Sequence, residues 1–447
     1  MMATGSNIFR LLTAALFLLA ASSCKTSFDE VRFSDGSADF TKVVAVGGSH
    51  LAGYSDMALY REAQSNSVPS ILATRFAFAD GGPFVQPLVN PGLGIGIQGN
   101  AKYTLQIVAD PCGTGTTVVA LPSAPSGDAS SLNWIGNFSL YNNLAVPNTR
   151  IKNITDQTFG NPSPFLGNPL YARFASNPGS STITGDALQQ NPTFTIVWLG
   201  MEDVYNYARS GGKEGGDSIS QSDRFDLLLS NFASQVASVG SSGIFLNIPD
   251  IDAIPFFTHI RHDGLTLNAA EAQQLNNLYA GVDTSISFTA GNNAYVVADT
   301  TLPTGRRQIL PGEFILLSTP ADSINCQGWG TTVPIPARYI LDASEVQKIK
   351  NAIINYNSSI TLAAVTNGFA VADIRSLLNQ LKNGIRFNGV NYSTAHLKGG
   401  VFSIDGFHLS QRGAAMVANE VIDAINVSFS SKLPKADVSL FDGIIYP

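Results

Sequence analysis

Val43-Val44-Ala45-Val46 runs directly into Gly47-Gly48-Ser49-His50-Leu51. A short, uninterrupted run of β-branched and small apolar residues reads as a strand buried on both faces, and the two glycines end it. Ser49 then stands at the strand's exit. Runs of the same kind recur at Phe194 to Leu199, Ile244 to Ile248, Tyr295 to Ala298 and Ala370 to Ile374. Helical patterns lie between some of them. Val68 to Ala73 is a helix segment, and Phe225, Leu228, Leu229, Phe232 and Val236 recur at helical spacing before Gly240 stops them. Asp342 caps another helix and Glu345 completes its capping box, followed by the stripe Val346, Ile349, Ile353 and Tyr356. The last helix carries Ala414, Val417, Val421 and Ile425 on one face, a core stripe with no chemistry of its own.

Strands alternating with helices predict an α/β fold, a mostly parallel sheet with helices on both faces. Sites in such sheets lie beyond the strands' carboxyl ends. That rule selects the turn after Val46, the turn after Leu199 and the loop before the last helix. Two long stretches rich in Gly, Pro and Asn, about 78–192 and 251–364, do not fit a minimal α/β pattern and read as insertions with β-hairpins of their own. Within the first, Gly94-Ile95-Gly96-Ile97-Gln98-Gly99 has the spacing of a dinucleotide-binding turn. Such a turn must join a strand to a helix, whereas here Pro91 precedes it and the strand-like Tyr103 to Val108 follows, so no cofactor is expected.

Near the start of the sequence Arg10 is followed by the apolar stretch Leu11 to Ala21 and then by Ala21-Ser22-Ser23-Cys24. The apolar run is about half the ~20 residues a spanning helix needs, and it reads as an export signal over 1–23. Small residues leading to a cysteine resemble a bacterial lipoprotein processing site, which implies cleavage before Cys24, acylation of its thiol and a lipid anchor in the cell envelope, at the outer membrane or cell surface. A linker over 24–40, a main α/β domain over 41–430 and a tail over 431–447 complete the expected organisation. With 44% hydrophobic and 13% charged residues the chain buries a core, and a net charge of -7 without any Lys/Arg cluster argues against nucleic acid. Cys112 and Cys326 either pair or stay separate thiols, alternatives the sequence leaves open. His259-x-x-His262 lacks a third ligand, so no metal is expected.

Serine is a poor nucleophile unless a base takes its proton, and that base needs an orienting acceptor. Asp405-Gly406-Phe407-His408 supplies both near the other end of the chain. Singly, a Gly-Gly-Ser turn is only a turn and Asp-x-x-His only a loop. Together they follow the first strand and precede the last amphipathic helix, which is where an α/β sheet gathers its site.

These blocks resemble the SGNH/GDSL hydrolases, and more closely the long bacterial lipoproteins among them: Val44 to Tyr54, with the nucleophile at Ser49; Asn143 to Asn148; Trp198 to Asp203; and Asp405 to His408. The resemblance implies a three-layer α/β/α fold of flavodoxin-like order and ester hydrolysis through an acyl-enzyme on Ser49. His408 acts as general base and Asp405 holds its imidazole. An oxyanion hole forms at Ser49, at Asn148 in place of the family's glycine, and at position 202. There the family offers an asparagine side chain and this chain has Glu202, which donates only if protonated. Glu202 either serves in that neutral form or turns away to cap the helix starting near Asp203. The expected function is an esterase or deacylase acting on an acetylated glycan, a lipid or another ester; the alternative is a weak or inactive surface lipoprotein that binds glycan or another ligand.

Overall fold

In the computed structural model, which describes residues 32–136 and 141–447, four strands form one parallel sheet: β1 (Val43–Gly47), β2 (Phe194–Trp198), β3 (Ser242–Leu246) and β4 (Ala370–Ala372), in that spatial order. Val43 pairs with Phe194, Phe194 with Ser242, and Ile244 with Ala370. Every residue of β1 and β2 is buried, the consequence of covering a parallel sheet on both faces. Beyond β1, the segment 142–146 runs alongside as an outer edge, with Ala45 donating to the Asn142 carbonyl at 2.9 Å, Leu144 to Ala45 at 2.8 Å and Val146 to Gly47 at 3.0 Å. The chain therefore leaves β1 for one side and returns to β2 on the other. Reversal of strand direction of travel at β1 is the flavodoxin-like arrangement, and it opens a crevice at that strand's carboxyl end.

The covering helices are α1 (Val68–Phe76), α2 (Met201–Arg209), α3 (Ser222–Ser238), α4 (Ala343–Thr366), α5 (Ile374–Leu381) and α6 (Gln411–Phe429). α1 packs with α6 and α3 with α4, while α4 and α6 each also meet β3 and β4, giving the three-layer α/β/α architecture. α4 begins as its sequence reads: Asp342 accepts from the Glu345 N–H at 2.9 Å and Glu345 accepts from the Asp342 N–H at 2.9 Å. Its buried positions Val346, Ile349, Ile353, Tyr356 and Ile360 face the core, where Tyr356 stacks on Phe225 of α3 at 4.1 Å. The stripe of α6 is likewise buried.

Two expectations need correction. Tyr295 to Ala298 is no strand of the parallel sheet: Val296–Ala298 pairs antiparallel with Arg306–Gln308 in a hairpin, and Val296 and Val297 bury into two small satellite cores. A β-branched run fits any buried strand, so it could not reveal which core it enters. The second insertion also ends earlier than position 364, because from Ala343 the chain is the crossover helix α4. Hairpins do build both inserted stretches, the longest being Tyr103–Ala109 with Thr116–Pro122. Cys112 at its tip is disulfide-bonded to Cys326. Residues after α6 fold back, with Leu433, Ala436 and Val438 buried and Lys432 donating to the Ser34 carbonyl at 2.8 Å. The export signal and Cys24 lie outside the described residues. Among the described residues no helix is long and apolar enough to cross a membrane.

Candidate active site

The three turns selected by the sheet rule meet beyond the carboxyl end of β1. Ser49 begins the helical turn Ser49–Ala52 directly after the strand and is buried. Asn148 follows the outer edge segment, and its backbone N–H donates to the Ser49 hydroxyl at 3.1 Å. Its φ of 65° is left-handed, a conformation glycine favours and asparagine tolerates, so the N–H keeps its direction despite the side chain. The Asn148 side chain is itself held, accepting from Asn206 Nδ2 at 2.6 Å. Asn206 sits one turn beyond Glu202 on α2, which the helical spacing of the two residues would have signalled.

Asp405 and His408 occupy a turn before α6 in which Gly406 has φ 70° and a side chain there would meet Leu317 at 2.7 Å. Asp405 accepts from His408 Nδ1 at 2.9 Å and from the backbone N–H groups of Met57, Phe407 and His408 at 3.1, 2.9 and 2.8 Å. Burial alone would raise its carboxyl, but the charge of His408 and these hydrogen bonds outweigh burial and hold it below the carboxylate range. Burial lowers the His408 imidazole despite the pull of Asp405. The resting pair is therefore an ionised Asp405 and a neutral His408, its Nε2 free to accept a proton. The His408 ring lies 4.8 Å from Tyr54 and 5.4 Å from His50, the residue next to Ser49. Burial, with His408 adding, pushes His50 down to about 3, so that ring is neutral.

Glu202 does not turn away. It sits in the first turn of α2, and its Oε1 accepts from the Ser49 backbone N–H at 2.7 Å. Its Oε2 is buried and has no hydrogen-bond partner. Burial raises the carboxyl above its ordinary 4.5, against the hydrogen bonds from Ser49, and Asp203 adds to the rise. The carboxylate lies directly over Gly48, where a Cβ would be 2.2 to 2.4 Å from its atoms. In the sequence Gly48 is only one of the two glycines that end the first strand; in the structure it makes room for Glu202. Asp203, buried and pushed up to about 6 by that burial, anchors the opposite side by accepting from the Ile151 N–H at 2.9 Å and Ser220 Oγ at 2.6 Å.

Arg209, at the end of α2, was also missed. Its guanidinium lies 4.4 Å from the ring centre of Phe407, which stands between Asp405 and His408 in the sequence. His259 packs on the ring of His396 at 4.7 Å, and His262 sits beside Asp263. Among the described residues no group of three side chains is placed to hold a metal ion.

The family described as GDSL-like Lipase/Acylhydrolase matches residues 43–421. Among solved structures, an alpha/beta hydrolase enzyme from the metagenome of Lake Arreo, Spain, is similar at 10% identity with a TM-score of 0.38, over 87% of this chain and 96% of that one. No curated protein matches.

Proposed function

This chain belongs to the GDSL-like lipase/acylhydrolase family of hydrolases, and from that membership we propose that it is a serine esterase acting through an acyl-enzyme on Ser49. The buried Asp405–His408 pair at 2.9 Å beside the Ser49 turn is the observation that carries the reading. His408 takes the proton of Ser49 as its oxygen attacks the ester carbonyl, then returns a proton to the leaving alcohol. Water, activated by the same imidazole, releases the acid.

The developing oxyanion needs donors. The Asn148 N–H, already at the Ser49 hydroxyl, is one. We assign the second to neutral Glu202: with Oε1 accepting from the Ser49 N–H, its proton sits on Oε2, which has no hydrogen-bond partner. A neutral carboxyl buried there would supply the donor that the family draws from asparagine.

Labelling of Ser49 by a fluorophosphonate probe, alongside turnover of short acyl esters, tests the reading. The soluble chain starting after Cys24 suits the assay, since it retains the compact unit Ser34–Pro447. Labelling and turnover that vanish in Ser49→Ala are expected; a folded chain that shows neither refutes the esterase. One observation favours a second reading, a weak or silent site that binds rather than cleaves. The Ser49 N–H is already taken by Glu202 Oε1, so one oxyanion donor is occupied at rest.

We further propose export and lipid anchoring at Cys24. Expressed in a bacterium, the chain should fractionate with membranes and yield an acylated Cys24 peptide by mass spectrometry, and Cys24→Ala should release it. A full-length chain left unmodified in the soluble fraction would refute the anchor.

A further inference from the structure

Between the nucleophile turn and α1 the chain folds into a small hairpin, in which Tyr54–Ser55 pairs with Ala58–Leu59 around Asp56 and Met57. We propose that Asp56 is a positioning residue for the reaction: it docks this hairpin on the acid-base loop so that the Met57 N–H fixes the carboxylate of Asp405 and, through it, the imidazole of His408. The inference rests on the esterase reading and adds a residue to its machinery.

A two-residue hairpin loop asks for positive φ at both of its residues, where asparagine and glycine are usual. The same molecule has such a loop, Asn388-Gly389 between Ile385–Phe387 and Val390–Tyr392, with φ of 47° and 83°. Asp56 and Met57 adopt φ of 50° and 63°, a region that a methionine side chain disfavours. Contacts outside the turn hold it there. The Asp56 carbonyl accepts from the Tyr103 N–H at 2.8 Å, and the Met57 carbonyl from Asn100 Nδ2 at 2.8 Å. The Asp56 side chain reaches elsewhere: Oδ1 accepts from the N–H of Ile404, 348 residues on, at 3.0 Å, and Oδ2 from Tyr60 Oη at 2.6 Å. A side chain that served only the turn would bond back to its own backbone.

The consequence falls on Asp405. Its Oδ1 is taken by two N–H groups of its own turn, those of Phe407 and His408. Its Oδ2, the oxygen that meets His408 Nδ1, receives the Met57 N–H at 3.1 Å, among the described residues the donor that comes from outside that turn. The carboxylate is thereby stopped from swinging on the face that orients the base, and a small misplacement of such a group is costly in rate. The hairpin grips the loop at further points. The Asp56 N–H donates to Ser403 Oγ at 3.2 Å, Ser55 Oγ donates to the Leu409 carbonyl at 3.1 Å, and the Tyr54 ring lies against His408. Because it also follows directly on the Ser49–Ala52 turn, the hairpin joins nucleophile and base, which stand near opposite ends of the chain. Burial raises the Asp56 carboxyl, and the charge of Asp405 adds to the rise. The dock therefore calls for an acceptor oxygen at position 56, which an amide also offers.

Asp56→Gly suits the test, because glycine keeps the left-handed turn and removes only the side chain. Turnover of p-nitrophenyl acetate by the soluble chain is counted per Ser49 labelled at completion by a fluorophosphonate, so that unfolded protein does not enter the rate. We expect kcat to fall about ten- to a hundredfold with KM within about twofold of wild type, since a misplaced base slows both halves of the reaction without weakening binding. Asp56→Asn, which restores the acceptor, should recover most of the loss, and Asn388→Gly in the other hairpin should change nothing. In the proton NMR spectrum the downfield Nδ1 proton of His408, identified by its absence in His408→Ala, should shift or broaden in Asp56→Gly and return in Asp56→Asn. If the glycine variant does not fold, Tyr60→Phe, which takes the donor from Oδ2, carries the same test with a fall of a few-fold. Full kcat per labelled Ser49 in Asp56→Gly, or in Tyr60→Phe where that variant stands in for it, overturns this inference alone. So does a loss that Asp56→Asn does not repair, or an equal fall in Asn388→Gly. Wild type that neither turns over nor labels removes the esterase reading, and this inference with it.

Discussion

At Gly48 a single added carbon would collide with the Glu202 carboxylate, because that side chain is buried against the strand exit and reaches for the Ser49 N–H. Gly48→Ala should therefore lower kcat at least tenfold by displacing Glu202, and combining it with Glu202→Ala should add little further loss. Equal losses that simply multiply would mean the two positions are independent. Under the esterase proposal, Glu202 sets the pH dependence. A neutral donor is lost as pH rises through its raised pKa, whereas the base is lost as pH falls through the lowered pKa of His408. The profile of kcat/KM should thus be bell-shaped, its alkaline limb belonging to Glu202. Glu202→Gln keeps a donor that does not titrate and should erase the alkaline limb while keeping the acid one. Glu202→Ala should cost on the order of a hundred- to a thousand-fold. An alkaline limb that persists in the Gln variant would assign it to another group.

The elements show why some features were legible in advance. β1, α3, α4 and α6 declare themselves through local patterns, a continuous apolar run or a helical stripe with its cap, and each forms where its pattern lies. At the α4 terminus the cap also binds across the fold: Lys213 Nζ meets Asp342 at 2.8 Å and the Lys213 N–H donates to Glu345 at 2.8 Å. Asp342→Ala should cost about 1 kcal/mol of stability at neutral pH, read from the urea midpoint. Although burial opposes it, the Lys213 and Ser344 hydrogen bonds hold the Asp342 carboxyl down at about 2 against an ordinary 3.8. Its contribution is therefore complete above the ordinary value and fades as pH falls toward about 2, and the gap between wild type and variant should close over that range. A gap that stays constant would show the carboxylate charge to be irrelevant. The outer edge segment 142–146 was not legible as a strand, since its place in the sheet rests on three long-range backbone hydrogen bonds to β1, joined by Asn142 Nδ2 donating to the Val43 carbonyl, and not on a pattern of its own.

Across the whole molecule, the inserted stretches are secured by their own means. The region between β3 and α4 builds two small cores, and the Cys112–Cys326 bond joins it to the first insertion across 214 residues of sequence. Closing so long a loop restricts the unfolded chain, and its removal typically costs about 2–5 kcal/mol. Replacing both cysteines by serine should lower the melting temperature relative to the oxidised chain, and reductant should lower that of the wild type to match. A melting temperature indifferent to both would mean that the insertions unfold separately from the sheet.

The amino-acid sequence by itself determined the α/β class and singled out Ser49, Asp405 and His408, which we propose as nucleophile, acceptor and base, together with the unusual Glu202. Each of these is written in short blocks whose physics is local: burial on two faces, a cap, an acceptor three residues from its histidine. Tertiary structure alone decided where Glu202 points, why position 48 has no side chain, that Cys112 meets Cys326, and that the glycine turn 96–99 walls a cavity beside Asn148. Those depend on contacts between residues tens to hundreds apart, and a periodicity read along the chain carries no record of which distant surfaces close upon each other.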